Sequence, residues 1–453
     1  MDINKFFSAK NIAIVGASKD PKKIGHVIFR NLIDGNFQGS IFLVNPNAYQ
    51  ILNKKVYKKL NDIQEEIELA IIAVPAKLVL QIIKDCGKKK IQNVVIISSG
   101  FKEIGNEKLE NDVKALLENL KIKCCGVNSL GIFDAYTRLD SLFLPRYQMK
   151  RPKPGGISFI SQSGSVGAVF LDMATKQNYG ISKFISCGNA TNLDESDFLE
   201  YLGEDKETKI ICMYIEELKD GQKFLKIAKK ISRIKPIIAI KAGIKKEEDK
   251  SVISHTGILA GESEIYSAAF KQANIIKAES LEEMINFARI LEKTIAPKGN
   301  KIQIITNGMG YGNLAADDVI KNKLDFSELN KKTISLLKKQ FSENIILGNP
   351  MDLSGDATTQ KYKLAIEACL NDDNVDILLL IVIYQTSLID ESIFDVIAEF
   401  NYLKKKPIIV VSTGGEFADS LKRLLEEKGI ANFEFPEQAV KSIKALVDYH
   451  SRR

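Results

Sequence analysis

Short runs of Ile, Val and Leu recur along the whole chain, each followed by a longer amphipathic stretch, and this alternation narrows the fold more than any other feature. The runs Asn11–Val15, Ile41–Val44, Leu69–Val74, Asn93–Ser99 and Ile122–Val127 are nearly continuous in apolar residues. A strand covered on both faces by helices needs apolar side chains on both sides, so this continuity predicts parallel strands. Stretches such as Lys77–Lys90 carry apolar residues at helical spacing, which predicts a βαβα order with right-handed crossovers. The order restarts after the segment Arg151-Pro-Lys-Pro-Gly-Gly156, with runs at Ile157–Ser161, Lys209–Ile215 and Pro236–Lys241. It restarts again after Ala296-Pro-Lys-Gly299, with Lys301–Thr306, Asp376–Tyr384 and Pro407–Ser412. The expected architecture is α/β with three doubly wound domains, at 1–128, 129–296 and 297–453, which suits a chain of 453 residues.

Composition removes several classes of function. The longest apolar run, Ile377 to Tyr384, is eight residues, far below the ~18 needed to cross a bilayer. No basic stretch, apolar core and small-residue cleavage site precede the first strand, so no secretory signal is expected. The net charge of +7 is the balance of 64 basic and 57 acidic residues spread along the chain. Mixed Lys and Glu, as in Glu107 to Lys121, read as solvated helix faces. With no Trp and no basic-aromatic cluster, nucleic-acid binding has no support, whereas a modest positive bias suits phosphates. The six cysteines form no CxxC pair and lie mostly in strand-like runs, which reads as buried free thiols in a reducing cytoplasm.

Three glycine-containing loops follow predicted strands. Val15-Gly-Ala-Ser18, with Pro21, Lys22, Lys23 and Gly25, lets backbone N–H groups approach a pyrophosphate at a helix N-terminus. The spacing is not GxGxxG, and the second strand ends in Val44-Asn45-Pro46-Asn47 rather than in a carboxylate, so a nucleotide other than NAD is favoured over an NAD(P) enzyme. The plain alternative is a tight turn without ligand. Ser161-Gln-Ser-Gly-Ser165 is either an oxyanion or phosphate site or an ordinary helix cap. Gly308-Met-Gly-Tyr-Gly312 is explained equally well by close packing, and Asn192-Leu-Asp-Glu-Ser-Asp197 reads as a capped helix start.

The chain has three histidines, too few for a multi-histidine metal centre, and no metal site is expected. His450 reads as solvated in a basic tail and His26 as packed beside the first glycine loop. His255 lies in Ser254-His-Thr-Gly-Ile-Leu-Ala-Gly261, after the hydrophilic stretch Lys241–Lys250, which is expected to be an exposed loop. A neutral imidazole can attack phosphorus at neutral pH, and a carboxylate on its other nitrogen stabilises the resulting cation. Glu216, just after the run Ile211–Ile215, is placed to supply that carboxylate.

Gly16-Ala-Ser18, Val44-Asn-Pro46, Val74-Pro75, Gly100-Phe-Lys-Glu103, Ser161-Gln-Ser-Gly164, Gly188-Asn189, Asp194-Glu-Ser-Asp197, Tyr214-Ile-Glu216, Ser254-His-Thr-Gly257, Asn349-Pro350 and Asp352-Leu353 form one ordered series. Together they resemble the α subunit of the ADP-forming acetyl-CoA synthetases, relatives of succinyl-CoA synthetase, over essentially the whole chain. The resemblance implies a Rossmann-like CoA-binding domain followed by two flavodoxin-like domains. It implies CoA contacts from Gly16, Ser18, Lys23, Asn45, Pro46, Val74, Pro75, Gly100, Phe101, Glu103 and Asn128. His255 becomes a phosphohistidine, Glu216 its partner, and Ser163, Gly164 and Ser165 the phosphate cradle. It further implies an acyl-CoA substrate with acetyl as the family default, and an ATP-grasp β subunit carrying ADP, ATP and Mg2+ in an α2β2 heterotetramer. Gly126-Val-Asn-Ser-Leu-Gly131 departs from the family's usual Gly-Pro-Asn-Cys-Leu-Gly, Asn47 stands where lysine is common, and Glu217 replaces a usual glycine. Those departures motivate the competing reading, a CoA-binding regulatory or scaffold protein without turnover.

Overall fold

The structure is a computed structural model and describes residues 3–242, 263–341 and 345–452. Among the described residues there are three sheets in which parallel pairing dominates. The first contains β1 (Asn11–Val15), β2 (Ser40–Val44), β3 (Gln50–Ile51), β4 (Lys54–Tyr57), β5 (Leu69–Ile72), β6 (Asn93–Ile96) and β7 (Lys123–Gly126). Its order is β3-β4-β2-β1-β5-β6-β7, parallel except for the short β3–β4 pair. The second contains β8 (Ile132–Asp134), β9 (Leu139–Asp140), β10 (Pro154–Ser161), β11 (Ile181–Ser186), β12 (Ile210–Ile215), β13 (Ile237–Lys241) and β14 (Ile276–Lys277). It runs β14-β13-β12-β10-β11-β8-β9, with β8 antiparallel to both β11 and β9. The third contains β15 (Lys301–Thr306), β16 (Asp325–Phe326), β17 (Met351–Asp352), β18 (Ile377–Ile381), β19 (Ile408–Val411) and β20 (Ala431–Phe433), all in parallel pairs. The fold is α/β, with helices such as Ile24–Asp34, Ala76–Lys88 and Glu107–Asn119 in the crossovers of the first sheet.

In each sheet the chain's order reverses around one strand. β1 lies between β2 and β5, β10 between β11 and β12, and β15 between β16 and β18. Loops leaving such neighbours diverge to opposite sides and open a crevice at the strands' C-terminal ends. The search for a site therefore begins at those edges.

The chain forms two compact units, Met1–Ala278 and Glu279–Arg453. The first two sheets share one unit because apolar side chains bridge them. The short helix Lys5–Ser8 buries Phe6 and Phe7 against the second sheet's helix Glu195–Glu204. Phe6 meets Phe198 edge-on at 6.2 Å, and Phe7 stacks on Tyr201 at 5.2 Å. Polar ties reinforce the joint: Asn31 Nδ2 donates to the Leu142 and Leu144 carbonyls at 2.6 and 2.9 Å. In the second unit the helix Leu281–Lys293 packs on the helix Pro436–Ser451, and buried Glu426 pairs with Lys293.

Several sequence expectations are altered by this packing. β11 contains Lys183, a charge that breaks the apolar run, yet every residue of the strand is buried. Lys183 is tolerated there because Nζ meets Asp205 at 2.9 Å and Asp134 at 3.4 Å. His450 is not in a solvated tail: it lies in the last turn of the helix Pro436–Ser451, half-buried with its ring 5.0 Å from that of Tyr449. The six cysteines are buried and free, and among the described residues no helix is long and apolar enough to cross a membrane.

Candidate active site

β1 ends at Val15, and Gly16 follows with φ +97°, a conformation that disfavours any side chain. A Cβ on Gly16 would stand 2.2 Å from the Ala73 carbonyl oxygen, and one on Gly25 would stand 2.1 Å from the Gly16 oxygen. The two glycines thus seat the helix Ile24–Asp34 directly on the loop. Lys23 caps that helix without a side-chain hydrogen bond, so its N-terminal N–H groups suit an anion. Side chains from the loop after β2 and from the following helix secure the loop. Asn45 Nδ2 donates to the Ala17 carbonyl at 2.6 Å, and His26 Nδ1 lies 2.9 Å from the Ser18 carbonyl. His26 is therefore a buried loop anchor, and Asn45 occupies the place where an NAD site would hold a carboxylate.

The loop after β5 carries Val74 and Pro75, and Ser98 binds its backbone: Val74 N donates to Oγ at 3.2 Å, and Oγ donates to Val74 O at 2.5 Å. After β6, Gly100 takes φ +111°, and Glu103 Oε1 accepts from Gly100 N at 2.5 Å and Phe101 N at 3.1 Å. After β7, Asn128 N donates to the Ser98 carbonyl at 2.9 Å. The structure thus places Gly16, Ser18, Lys23, Asn45, Pro46, Val74, Pro75, Gly100, Phe101, Glu103 and Asn128 in loops along one sheet edge. Lys23, Pro46 and Pro75 are exposed, whereas the Phe101 side chain is wholly inside the core and leaves only backbone to a ligand. Val127 and Ser129 are also buried, and Ser129 Oγ donates to the Ser186 carbonyl at 2.6 Å.

The second sheet presents a matching edge. Ser163 caps the helix Gly164–Lys176, its Oγ accepting from Val166 N at 3.4 Å and lying 3.1 Å from Ser165 Oγ. The motif therefore caps the helix, as one of its two readings expects. Gln162, between this cap and β10, reaches across to the loop after β12. Its Oε1 accepts from Glu216 N at 2.5 Å and Glu217 N at 3.0 Å, while Nε2 donates to Glu217 O at 2.6 Å. His255 lies outside the described residues, so its pairing with Glu216 rests on sequence alone.

The two edges meet at Asn189, in the loop after β11. Its Nδ2 donates to Glu103 Oε2 and Glu110 Oε2, both at 2.8 Å, and its Oδ1 accepts from Asn128 Nδ2 at 3.2 Å. Lys219 Nζ closes the corner on the Asn189 and Ala190 carbonyls at 2.8 and 2.7 Å. A cleft opens here, lined by Lys102 and Glu103 from the first sheet and Gln162, Asn189, Glu216, Glu217 and Lys219 from the second. Partial burial alone would raise the Glu103 carboxyl, but the donors at Gly100, Asn189 and Phe101 hold it below the usual carboxylate range. Burial pushes Glu195, beside Gln162, the other way, up to about 7.

The sequence reading singled out Glu103 and Glu216 but not Gln162, Lys219, Glu110 or Glu195 individually. Glu110 was readable as more than a solvated charge. It stands three and seven residues before Val113 and Leu117, on the buried stripe of the helix Glu107–Asn119. There it accepts from Lys102 N at 3.1 Å and Thr191 Oγ1 at 3.0 Å. Lys219 carries no such signal, because its role depends on a loop from another strand. Among the described residues no cluster of three or more His, Cys, Asp or Glu is arranged for a metal ion.

Known proteins resemble this chain over nearly its whole length. Residues 10–134 match the CoA binding domain family, and residues 154–291 the succinyl-CoA ligase like flavodoxin domain. Acetate–CoA ligase (ADP-forming) II subunit alpha of Pyrococcus furiosus is 37% identical across 98% of this chain and 97% of its own length. Acetate–CoA ligase (ADP-forming) of Methanocaldococcus jannaschii is 40% identical across 97% of this chain, which spans 62% of that longer protein. The dinucleotide forming acetyl-coenzyme A synthetase 1 of Ca. Korarchaeum cryptofilum, solved with phosphate and ADP, superposes with a TM-score of 0.92 at 33% identity. That match covers 99% of this chain and 97% of that one.

Proposed function

Because this chain belongs to the family of ADP-forming acetate–CoA ligase α subunits, we propose that it is the CoA-binding and phosphoryl-carrying half of such an enzyme. The reaction turns acyl-CoA, ADP and phosphate into free acid, ATP and CoA, with acetyl-CoA as the substrate. The observation that carries this reading is the cleft itself, where the glycine-loop edge of the first sheet and the serine-capped edge of the second meet at Asn189.

In the first step a phosphate oxygen attacks the thioester carbonyl, the C–S bond breaks, and CoA leaves as thiolate with acyl phosphate left behind. The glycine loop and the Lys23 helix end hold the CoA phosphates, while Glu103 is spent on shaping the loop before Asn189. His255 then attacks phosphorus, the P–O bond to the acyl group breaks, and the free carboxylate departs. Glu216 accepts the imidazole's remaining N–H and stabilises the phosphohistidine cation. The Ser163–Ser165 cap supplies N–H and hydroxyl donors to the phosphoryl oxygens. Finally the phosphoryl group passes from nitrogen to ADP, and His255 returns to its neutral form.

The nucleotide and Mg2+ are assigned to a second, ATP-grasp subunit in an α2β2 assembly. The subunit names of the relatives and the extra length of the single-chain relative support a second polypeptide. The test is to combine the chain with a candidate partner, acyl-CoA, phosphate and ADP. His255→Ala should lower ATP formation by at least about a thousandfold, as loss of a covalent nucleophile does, with CoA affinity unchanged within about twofold. ATP formation at the wild-type rate by His255→Ala refutes the mechanism.

A further inference from the structure

The run Asp194-Glu-Ser-Asp197 divides into two roles. Asp194 and Asp197 form the helix cap: Asp194 Oδ1 accepts from Ser196 N and Asp197 N, and Asp197 Oδ2 accepts from Asp194 N. Lys223 neutralises both, at 3.0 and 2.7 Å. Glu195 stands outside that reciprocal pair, bonding its own backbone N–H at the helix start. Its side chain is only 2% exposed, and its Oε2 accepts from Gln162 Nε2 at 3.0 Å.

The Gln162 amide is thereby used at every position. Its oxygen receives two backbone N–H groups, from Glu216 and Glu217, and its nitrogen donates to Glu217 O and to Glu195. The reversed amide would set NH2 against two N–H donors, so the network itself decides the orientation. We infer that Glu195 is a positioning residue: through Gln162 it holds the Glu216–Glu217 turn, and its charge state sets how firmly Glu216 is presented to the cleft.

The argument for charge, beyond shape, is chemical. A carboxylate is a stronger acceptor than a protonated acid, and drawing on one N–H of an amide strengthens the bonds its oxygen receives. Ionised Glu195 therefore tightens the turn and protonated Glu195 loosens it. Burial lifts its pKa to about 7, and neighbouring Asp194 adds to the lift while its own backbone N–H, Gln162 and Lys219 oppose it, so both forms are populated near neutrality. The other groups facing this corner are Glu216 and Glu217 on the turn and the buried Cys187 thiol, itself raised by burial. A glutamine would make the same bond to Gln162 without the desolvation cost of a carboxylate.

This inference rests on the role given to Glu216 above, so its test uses a readout that does not need turnover. Hydrogen-exchange protection of the Glu216 and Glu217 amides is measured in the whole chain from pH 6 to pH 8, corrected for intrinsic exchange. Wild-type protection should rise several-fold across about pH 7. Glu195→Gln should keep the fold and the bond but show no rise, and Glu195→Ala should lose about tenfold protection, one hydrogen bond's worth. In the assembled enzyme, kcat should follow the protection while KM for acyl-CoA stays within about twofold. A rise that persists in Glu195→Gln, or wild-type protection in Glu195→Ala, overturns the inference. The expected exchange pattern in a chain that forms no ATP upholds the clamp and refutes only the activity.

Discussion

The glycine loop after β1 and the Gln162 corner after β10 occupy the same position in two similar sheets, yet they are built on opposite principles. The glycine loop is fixed by sterics. Two missing side chains let a helix sit on a strand end, and its ties, from Asn45 and His26, run to backbone carbonyls. The Gln162 corner is fixed by one amide serving four partners, with a buried carboxyl beside it that titrates near neutrality. A steric site is insensitive to pH and suits a ligand that is simply held. A site built on one polar hub responds to charge, as a group that must be presented and released requires. Asn189 ties the loops after β6 and β7 of the first sheet to the second sheet, and Glu103 and Gln162 line the cleft beside it.

Three substitutions test this contrast, beginning with the largest effect. Gly16→Val should cost more than about 4 kcal/mol, because it forces a branched side chain into a left-handed conformation and against the Ala73 carbonyl. The loss should be seen in urea denaturation and be the same at pH 6 and pH 8; a mild, pH-dependent loss would break the claim that sterics govern this loop.

Glu195→Gln should act in the other direction. In the folded chain Glu195 keeps its proton up to about pH 7, against 4.5 for the ordinary side chain. Between those values the folded state binds more protons than the unfolded one, so wild-type stability falls as pH rises through that window and levels off above it. The variant lacks the fall and should be more stable than wild type by about 3 kcal/mol at pH 8, converging with it below about pH 4. Thermal melts of the two proteins across that range give the comparison, and identical melting temperatures at pH 8 would show that burial does not penalise this charge.

Ser163→Ala should be the smallest. Loss of a capping hydroxyl typically costs about 1 kcal/mol, here read in urea melts, with CoA affinity unaffected because the first sheet's edge is untouched. A matching loss of CoA affinity would mean that the two edges are coupled more tightly than Asn189 alone provides.

Much of this is legible in the sequence. The main strands were visible wherever Ile and Val ran unbroken, as in Asn11–Val15 and Ile377–Ile381, because a two-sided core demands apolar residues at successive positions. β11 was not visible, since Lys183 interrupts it and only Asp205 and Asp134, distant in sequence, make that charge acceptable. β8, β9 and β17 were missed for a simpler reason: segments of two or three residues have no period to detect. Among site residues, Gly16 and Ser163 announced themselves through local backbone chemistry, a strand-end glycine and a helix cap.

The chain's own order of residues thus settled the class of fold, the positions of the glycine turns and the helix caps, all of which depend on near neighbours. Only the tertiary structure decided that Glu195 is buried while Glu200 and Glu204 on the same helix are solvated. It also decided that one glutamine carries the Glu216 turn. The reason is desolvation: what a carboxylate does depends on which donors surround it once water is removed, and those donors come from strands far apart in sequence.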